Sequence, residues 1–303
     1  MKWKLIEFIN TYNYTFTITF ICNRFKVPIS TYYRWLKDKS DFRLVKQCHL
    51  NPNFCQTLIQ FHNTREGKIN GYRRIFYALK AYCKENKVYM PKELSEKQMR
   101  KLMKDHNLQG KKRTNYPCKK TKNNSINWIP EMDKVNNNFN AEFSNKVICM
   151  DIKYIKTNEG WLYINAVRDF HTQGILGWKF STTMDYYSLV KPSVEQALSY
   201  FTKEQIKKII IHTDNGKQYY HQDLELLAKE YEIILSKKRP NCLGGNALSE
   251  NWFAHLAQEW LPYEGYKTIE EGIEDVTKYI HFFNNKRICS KFNAPPMSQF
   301  KVQ

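Results

Sequence analysis

The sequence predicts two kinds of structure in one chain, small all-helical regions in its first half and a mixed α/β domain in its second. Three observations predict this. Lys and Arg are concentrated in the first half, apolar residues recur at helical spacing up to residue 108, and from residue 146 they form short runs rich in β-branched and aromatic side chains.

With 303 residues, 42% of them hydrophobic and 15% aromatic, the chain can bury real cores and does not have the composition of a disordered protein. No uncharged apolar run is long enough to cross a bilayer, and the polar opening MKWKLIEFINTYNYTFTITF does not read as a secretory signal. A cytoplasmic location and no membrane partner are therefore expected. Eight Cys are scattered without a CxxC pair, as expected for free thiols in a reducing compartment. Cys48, His49, Cys55 and His62 come nearest to a metal cluster, but their spacing suits no structural zinc site. The net charge of +19 is segregated: residues 1–145 hold 28 Lys and Arg against 11 Asp and Glu, and residues 146–303 hold 20 against 18. A cationic front half suits binding to a polyanion such as DNA; the plain alternative is a basic soluble protein.

Residues 16–38 read as two short helices around the break Val27, Pro28, Ile29, Ser30, with Ser30 capping a helix that carries Tyr32, Tyr33 and Trp35. The size fits a helix-turn-helix, although aromatic residues at this spacing also build small cores. Three further helices are expected in FCQTLIQFH, GYRRIFYALKAYCKE and SEKQMRKLMKDHNL, the last capped by Ser95. The segment QGKKRTNYPCKKTKNN then offers Lys111, Lys112, Arg113, Lys119 and Lys120 with little apolar material to fold around. It reads as a basic linker able to lie along phosphates, or as a solvated connector. The expected divisions are 1–45, 46–108, 109–140 and 141–303.

Beyond the linker, KVICMDIKYI, GWLYINAVRD and GILGWKF are expected to form an antiparallel meander. A helix over 184–201 with Pro192 as a local flaw, a fourth strand KKIIIHTD, a helix QDLELLAKEYE, a fifth strand IILS and a helix ALSENWFAHLAQEW follow. Asp151 lies in the first strand, Asp214 at the end of the fourth and Glu250 in the helix after the fifth. If the first and fourth strands are neighbours, the two Asp approach each other and repel unless a cation neutralises them. With Glu250 they supply hard oxygen ligands for Mg²⁺ or Mn²⁺, and two such ions could activate a hydroxyl and stabilise a leaving oxygen. Residue types alone do not select these three acids over Asp169, Asp185, Glu259 or the cluster at 270–275.

Taken together, ICNRFKVPISTYYRWL, GYRRI, DIKYI, IIHTDNGKQYY, NALSENWFAHLAQE, FNNKR and APPMSQF resemble the second-frame transposases of two-frame bacterial insertion sequences, over nearly everything from Phe16 to Phe300. The resemblance implies an RNase H-like, retroviral-integrase-like catalytic core of a mixed five-stranded sheet with flanking helices. It places a metal-binding catalytic triad at Asp151, Asp214 and Glu250, with 35 residues between the last two. It also implies metal-dependent cleavage and strand transfer on double-stranded DNA, at the element's terminal repeats and at target DNA. Several copies are expected on paired ends, with an upstream-frame product or fusion as partner.

The pattern departs from the family at Ala257, Gly245, Cys289 and Lys153, where a DNA-contacting Lys, an Asp, a His and a Thr are usual. With Ala257 in place, Lys237, Lys238, Arg239 and His255 are expected to supply phosphate contacts. Arg73 and Arg74 of GYRRI and Arg287 of FNNKR are further DNA-binding candidates. Gln218 is open between DNA contact and local packing, and Asn246 is also a candidate contact. The alternatives are a nuclease of the same fold and a catalytically impaired DNA-binding regulator of transposition.

Overall fold

The computed structural model of the protein describes residues 5–6, 8–9, 12, 16–37, 52–91, 94–111, 129–135, 147–207, 209–214, 216, 219, 221–239 and 246–300. The chain divides into two units, Met1–Lys111 and Lys112–Gln303.

In the first unit, helix α1 (Ile18–Arg24) starts at Thr17, whose hydroxyl accepts the Phe20 N–H. Helix α2 (Ile29–Lys37) begins two residues earlier than a cap at Ser30 implies. The Pro28 carbonyl accepts the N–H groups of Thr31 and Tyr32, so Ser30 lies inside the first turn and is not its cap. Tyr32 is fully buried with Ile21, Cys22, Val27, Leu5, Ile6 and Ile9, whereas Tyr33 is exposed. A second core is made by helices α3 (Pro52–Asn63), α4 (Arg65–Lys68), α5 (Tyr72–Glu85) and α6 (Glu96–Asp105), which bury Phe54, Leu58, Ile75, Leu79, Met99, Leu102 and Met103. Ser95 caps α6 as expected, in a capping box with Gln98 that satisfies two otherwise unpaired N–H groups.

The second unit is built on a five-stranded sheet in the order β3-β2-β1-β4-β5. Strands β1 (Val147–Thr157), β2 (Gly160–Asp169) and β3 (Ile175–Ser181) form the expected antiparallel meander. β4 (Ile210–Thr213) pairs parallel with β1, and β5 (Ile234–Lys237) parallel with β4. Between β3 and β4 the expected single helix is a π-helical turn, Tyr186–Val190, followed by α7 (Lys191–Leu198) and the short α8 (Lys203–Ile206). Pro192 is no flaw there: it sits in the first turn of α7, where a missing N–H breaks no helical bond.

On one face of the sheet, Ile148, Met150, Val167 and Leu176 pack against Val194 and Ala197 of α7 and against Leu224 and Leu227 of α9 (Gln222–Glu230). The other face carries α10 (Ala247–Glu259) and α11 (Ile269–Asn285), joined through the rings of Trp252, Tyr279 and Phe283. Gly177 sets the approach of α7 to β3, since a Cβ there would lie 2.0 Å from the Ser193 carbonyl oxygen and 2.8 Å from the Ala197 nitrogen. Backbone atoms cannot rotate away, so Gly177→Ala should destabilise this unit by about 2–3 kcal/mol in urea denaturation. Of the expected free thiols, Cys22, Cys55, Cys83, Cys149 and Cys289 are unpaired in the described residues. No described helix is long and apolar enough to cross a membrane.

Candidate active site

β1 places Asp151 beyond the last residue that pairs with β4, Cys149, and β4 ends at Thr213, immediately before Asp214. Two acids thus stand side by side where adjacent parallel strands part. An Asp214 carboxylate oxygen accepts the Gly216 N–H at 2.8 Å, which fixes the turn. An Asp151 oxygen accepts the Ile152 N–H at 2.9 Å. Burial, together with the negative charges of Asp214 and Glu250, pushes Asp151 up to about 7. Burial and Glu250 also raise Asp214.

Glu250 arrives on the first turn of α10, and three buried contacts hold that turn on the sheet. The Asn246 side-chain amide donates to the Met150 carbonyl at 3.3 Å, the Ser249 hydroxyl donates to the Cys149 sulfur at 3.0 Å, and the buried Arg168 guanidinium donates to the Leu248 carbonyl. The Glu250 carboxylate itself is exposed and meets the Lys238 ammonium at 2.8 Å. Lys238 follows β5, and its positive charge also opposes the upward shifts of Asp151 and Asp214. Among the described residues no three Asp, Glu, His or Cys side chains are gathered closely enough to hold a metal ion. Two acids are therefore paired, and the third is turned onto a cation. The donor set still suits a hard divalent ion: all three ligands are carboxylates, and those of Asp151 and Asp214 are short of positive charge.

The expected DNA-binding residues separate into distinct environments. Lys237 is half-buried at the end of β5, where burial lowers its pKa, and Arg239 is exposed. Arg73 pairs with Glu96 at 3.4 Å on the surface of the first unit, and Arg74 lies beside it on α5. The Lys111 N–H is bound to the Lys68 carbonyl at 2.8 Å. Lys112, Arg113, Lys119, Lys120 and Gln218 lie outside the described residues. Asn246 is buried as a tether of α10. His255 and Arg287 are buried on Glu259: Nδ1 of His255 lies 3.0 Å from its Oε1, and Arg287 donates to both oxygens at 2.8 and 2.6 Å. These two side chains serve a buried ion network and do not line a phosphate-facing surface. The rival acids are likewise occupied, Asp169 by Thr172 and Asp185 by Ser188 and Thr183.

Sequence reasoning missed Arg168, Cys149 and Ser249 as supports of the site. Arg168 has one signal, a charged residue near the end of an apolar strand; Cys149 in β1 and Ser249 on α10 have none.

A testable consequence follows from the raised Asp151 pKa. Between about pH 4 and pH 7 the unfolded chain ionises this group while the folded chain keeps it protonated, so its contribution to stability is lost as pH rises. In metal-free protein, Asp151→Asn should stabilise the fold at pH 8, by an amount on the order of a few kcal/mol, and change little at pH 4. Thermal denaturation with chelator at the two pH values reads this out.

Residues 141–242 and 250–303 each match a family described as Integrase core domain. The chain is 24% identical over 88% of its length, and 92% of the relative's, to an uncharacterized 31 kDa protein of insertion element IS600 from Shigella sonnei. It is 30% identical over 49% of its length to transposase InsF of IS3A from Escherichia coli, spanning only 50% of that protein. It is also 30% identical to the IS904 transposase of Lactococcus lactis, spanning 65% of that protein. The catalytic core domain of HTLV-2 integrase in complex with magnesium superposes with a TM-score of 0.39 and 14% identity, over 54% of this chain and 100% of that one.

The sheet order, the flanking helices and the family matches define a protein with an RNase H-like integrase core preceded by a helical region. Fold and sequence similarity together point to the DDE-type polynucleotidyl transferases. Within that class the chain is IS3-like, consistent with the second-frame transposase of an insertion sequence.

Proposed function

We propose that the chain is a metal-dependent DNA transposase that cleaves insertion-sequence ends and joins the exposed 3′ hydroxyl to target DNA. The observation that carries this reading is the pairing of Asp151 and Asp214 on neighbouring parallel strands, with Glu250 presented by a helix tethered to the same strand. Asp151, Asp214 and Glu250 would hold two Mg²⁺ or Mn²⁺ ions. When bound, such ions supply activation of a hydroxyl nucleophile and stabilisation of the leaving oxygen. The chain's own groups orient the site: Gly216 holds Asp214, the α10 tethers hold Glu250 near the strands, and Lys238 carries compensating charge beside the acids. Lys237 and Arg239 continue the cationic surface from β5 toward phosphates.

DNA affinity is assigned chiefly to the basic linker and the first unit. Changing Lys111, Lys112, Arg113, Lys119 and Lys120 to Gln should weaken binding to unrelated duplexes alike and reduce the salt dependence, by roughly 0.9 in slope per lost phosphate contact. A loss confined to one sequence would show base reading instead. Several copies on paired ends, and an upstream-frame partner, complete the proposed assembly.

The test is incubation of the full chain with labelled terminal repeats and Mg²⁺ or Mn²⁺. Joined donor–target product is expected. Cut ends without joining would indicate a nuclease of the same fold. Binding without any product would indicate a DNA-binding regulator, a reading favoured by the Glu250–Lys238 pair and by Ala257, Gly245 and Cys289.

A further inference from the structure

Past Asp151, strands β1 and β2 continue to a turn at Asn158 and Glu159, and the two faces of this end of the sheet differ sharply. One face is closed: Ile155, Thr157, Leu162 and Ile164 are buried, and α11 packs so near that a Cβ on Gly272 would lie 3.1 Å from Leu162 Cδ2. The other face is open. Tyr154 is 55% exposed and Trp161 56% exposed, Lys156 and Lys179 are exposed, and Tyr163 is half-buried.

Cross-strand partners share a face, so the register places these residues together. Tyr154 pairs with Tyr163, Lys156 with Trp161, Tyr163 with Ser181 and Asn165 with Lys179. The rings meet edge to face, Tyr154 and Tyr163 at 5.7 Å and 84°, Tyr154 and Trp161 at 6.3 Å and 68°. The coverage by α7 stops at Asn165, whose amide donates to Ser193 at 2.6 Å. The solvated face of an antiparallel sheet is ordinarily polar, and here it presents three aromatic rings flanked by two Lys. Over the open part of this face, from Ile152 to Lys156 and their partners on β2 and β3, there is no Asp or Glu; Asp169, paired with Ile148 at the far end, is buried. Of the acids nearby, Glu159 accepts the Ile269 N–H at 2.8 Å, and Asp185 is held by Thr183 and Ser188.

We propose that this face is a stacking platform for unpaired DNA bases, with Tyr154, Trp161 and Tyr163 as the stacking surfaces and Lys156 and Lys179 as the phosphate contacts. Rings interleaved with cations and free of acids match the requirements of single-strand binding, because every base has a stackable face and every linkage an anionic oxygen. A base-paired duplex keeps its bases stacked on each other and gives these rings nothing to hold. Tyr154 is three residues from Asp151, an odd number, so the two side chains leave opposite faces of β1, and the platform is set apart from the acid pair by the sheet itself. The choice of DNA over RNA rests on the proposed function; the stacking does not.

The experiment uses the full chain with chelator present, and compares a fluorescein-labelled oligothymidylate with a duplex hairpin by anisotropy at matched salt. Tyr154→Ala and Trp161→Ala should each weaken single-strand binding about ten-fold, with duplex binding unchanged. Tyr154→Phe and Trp161→Phe should retain it, and circular dichroism verifies folding. Equal loss for both ligands, or no loss for either, overturns the platform. Unchanged single-strand binding with a shift of the chain from dimer to monomer in sedimentation overturns it in favour of a second copy of this chain. Because no product is measured, absence of strand transfer would remove the proposed function and leave this result standing.

Discussion

Glu259→Ala should destabilise the second unit by about 3–5 kcal/mol, the range for removing one partner of a buried ion pair. Arg287 is 4% exposed and donates two hydrogen bonds to Glu259. The remaining acceptor positions of Glu259 take the Tyr279 hydroxyl at 3.0 Å and His255 at 3.0 Å. Burial alone would raise the Glu259 pKa; the hydrogen bonds from His255 and Arg287 outweigh it and hold the carboxyl far below the usual range. The alanine variant strands the Arg287 cation over the Phe283 ring with no counter-charge. Denaturant unfolding of the full chain measures the loss. Replacing Glu259 and Arg287 together by Met should recover most of it, because the desolvation penalty of both charges disappears with them. If the double variant is as unstable as the single one, the pair is not the source of the effect.

That network also marks the limit of what the sequence disclosed. The strands are legible as short runs rich in Val, Ile and aromatic residues bounded by polar turns, and Ser95 is legible as a cap from its type at the head of a helical run. The β1–β4 neighbourhood could be stated only as a condition, since nothing local to either run encodes their pairing. His255 is expected at DNA because Ala257 leaves the usual Lys missing, and Arg287 because it belongs to the FNNKR motif. Their real partner differs in kind of signal: Glu259 is one helical turn from His255 and visible at that spacing, but it is 28 residues from Arg287 and brought there only by the packing of α11. Ser30 was read as a cap from its type, whereas the Pro28 carbonyl had already started the helix. The acids of the candidate site were found by motif resemblance, and their altered geometry, with Glu250 on Lys238, has no sequence signal at all.

Asp214→Asn should abolish joined and cut products, by roughly three orders of magnitude or about 4 kcal/mol on the barrier, while leaving DNA binding intact. The substitution keeps shape and the acceptor for the Gly216 N–H, and removes one negative ligand. It should not unfold the protein. Asp214 is an acid whose pKa burial and Glu250 raise, so a neutral side chain relieves repulsion in the metal-free fold. The expected signature is therefore opposed movement: activity falls while metal-free thermal stability at pH 8 rises. Loss of activity through misfolding would move both downward. A third measurement adds the cation. Divalent ions should stabilise the wild-type chain more than the Asn variant, since only the wild type gains by neutralising both paired acids. Glu250→Gln should likewise lose product, but with little stability gain, because its exposed carboxylate already has Lys238 at 2.8 Å. Near-normal, metal-dependent joining by Asp214→Asn would remove these acids from the chemistry and leave the paired aspartates as an unexplained strain in the sheet.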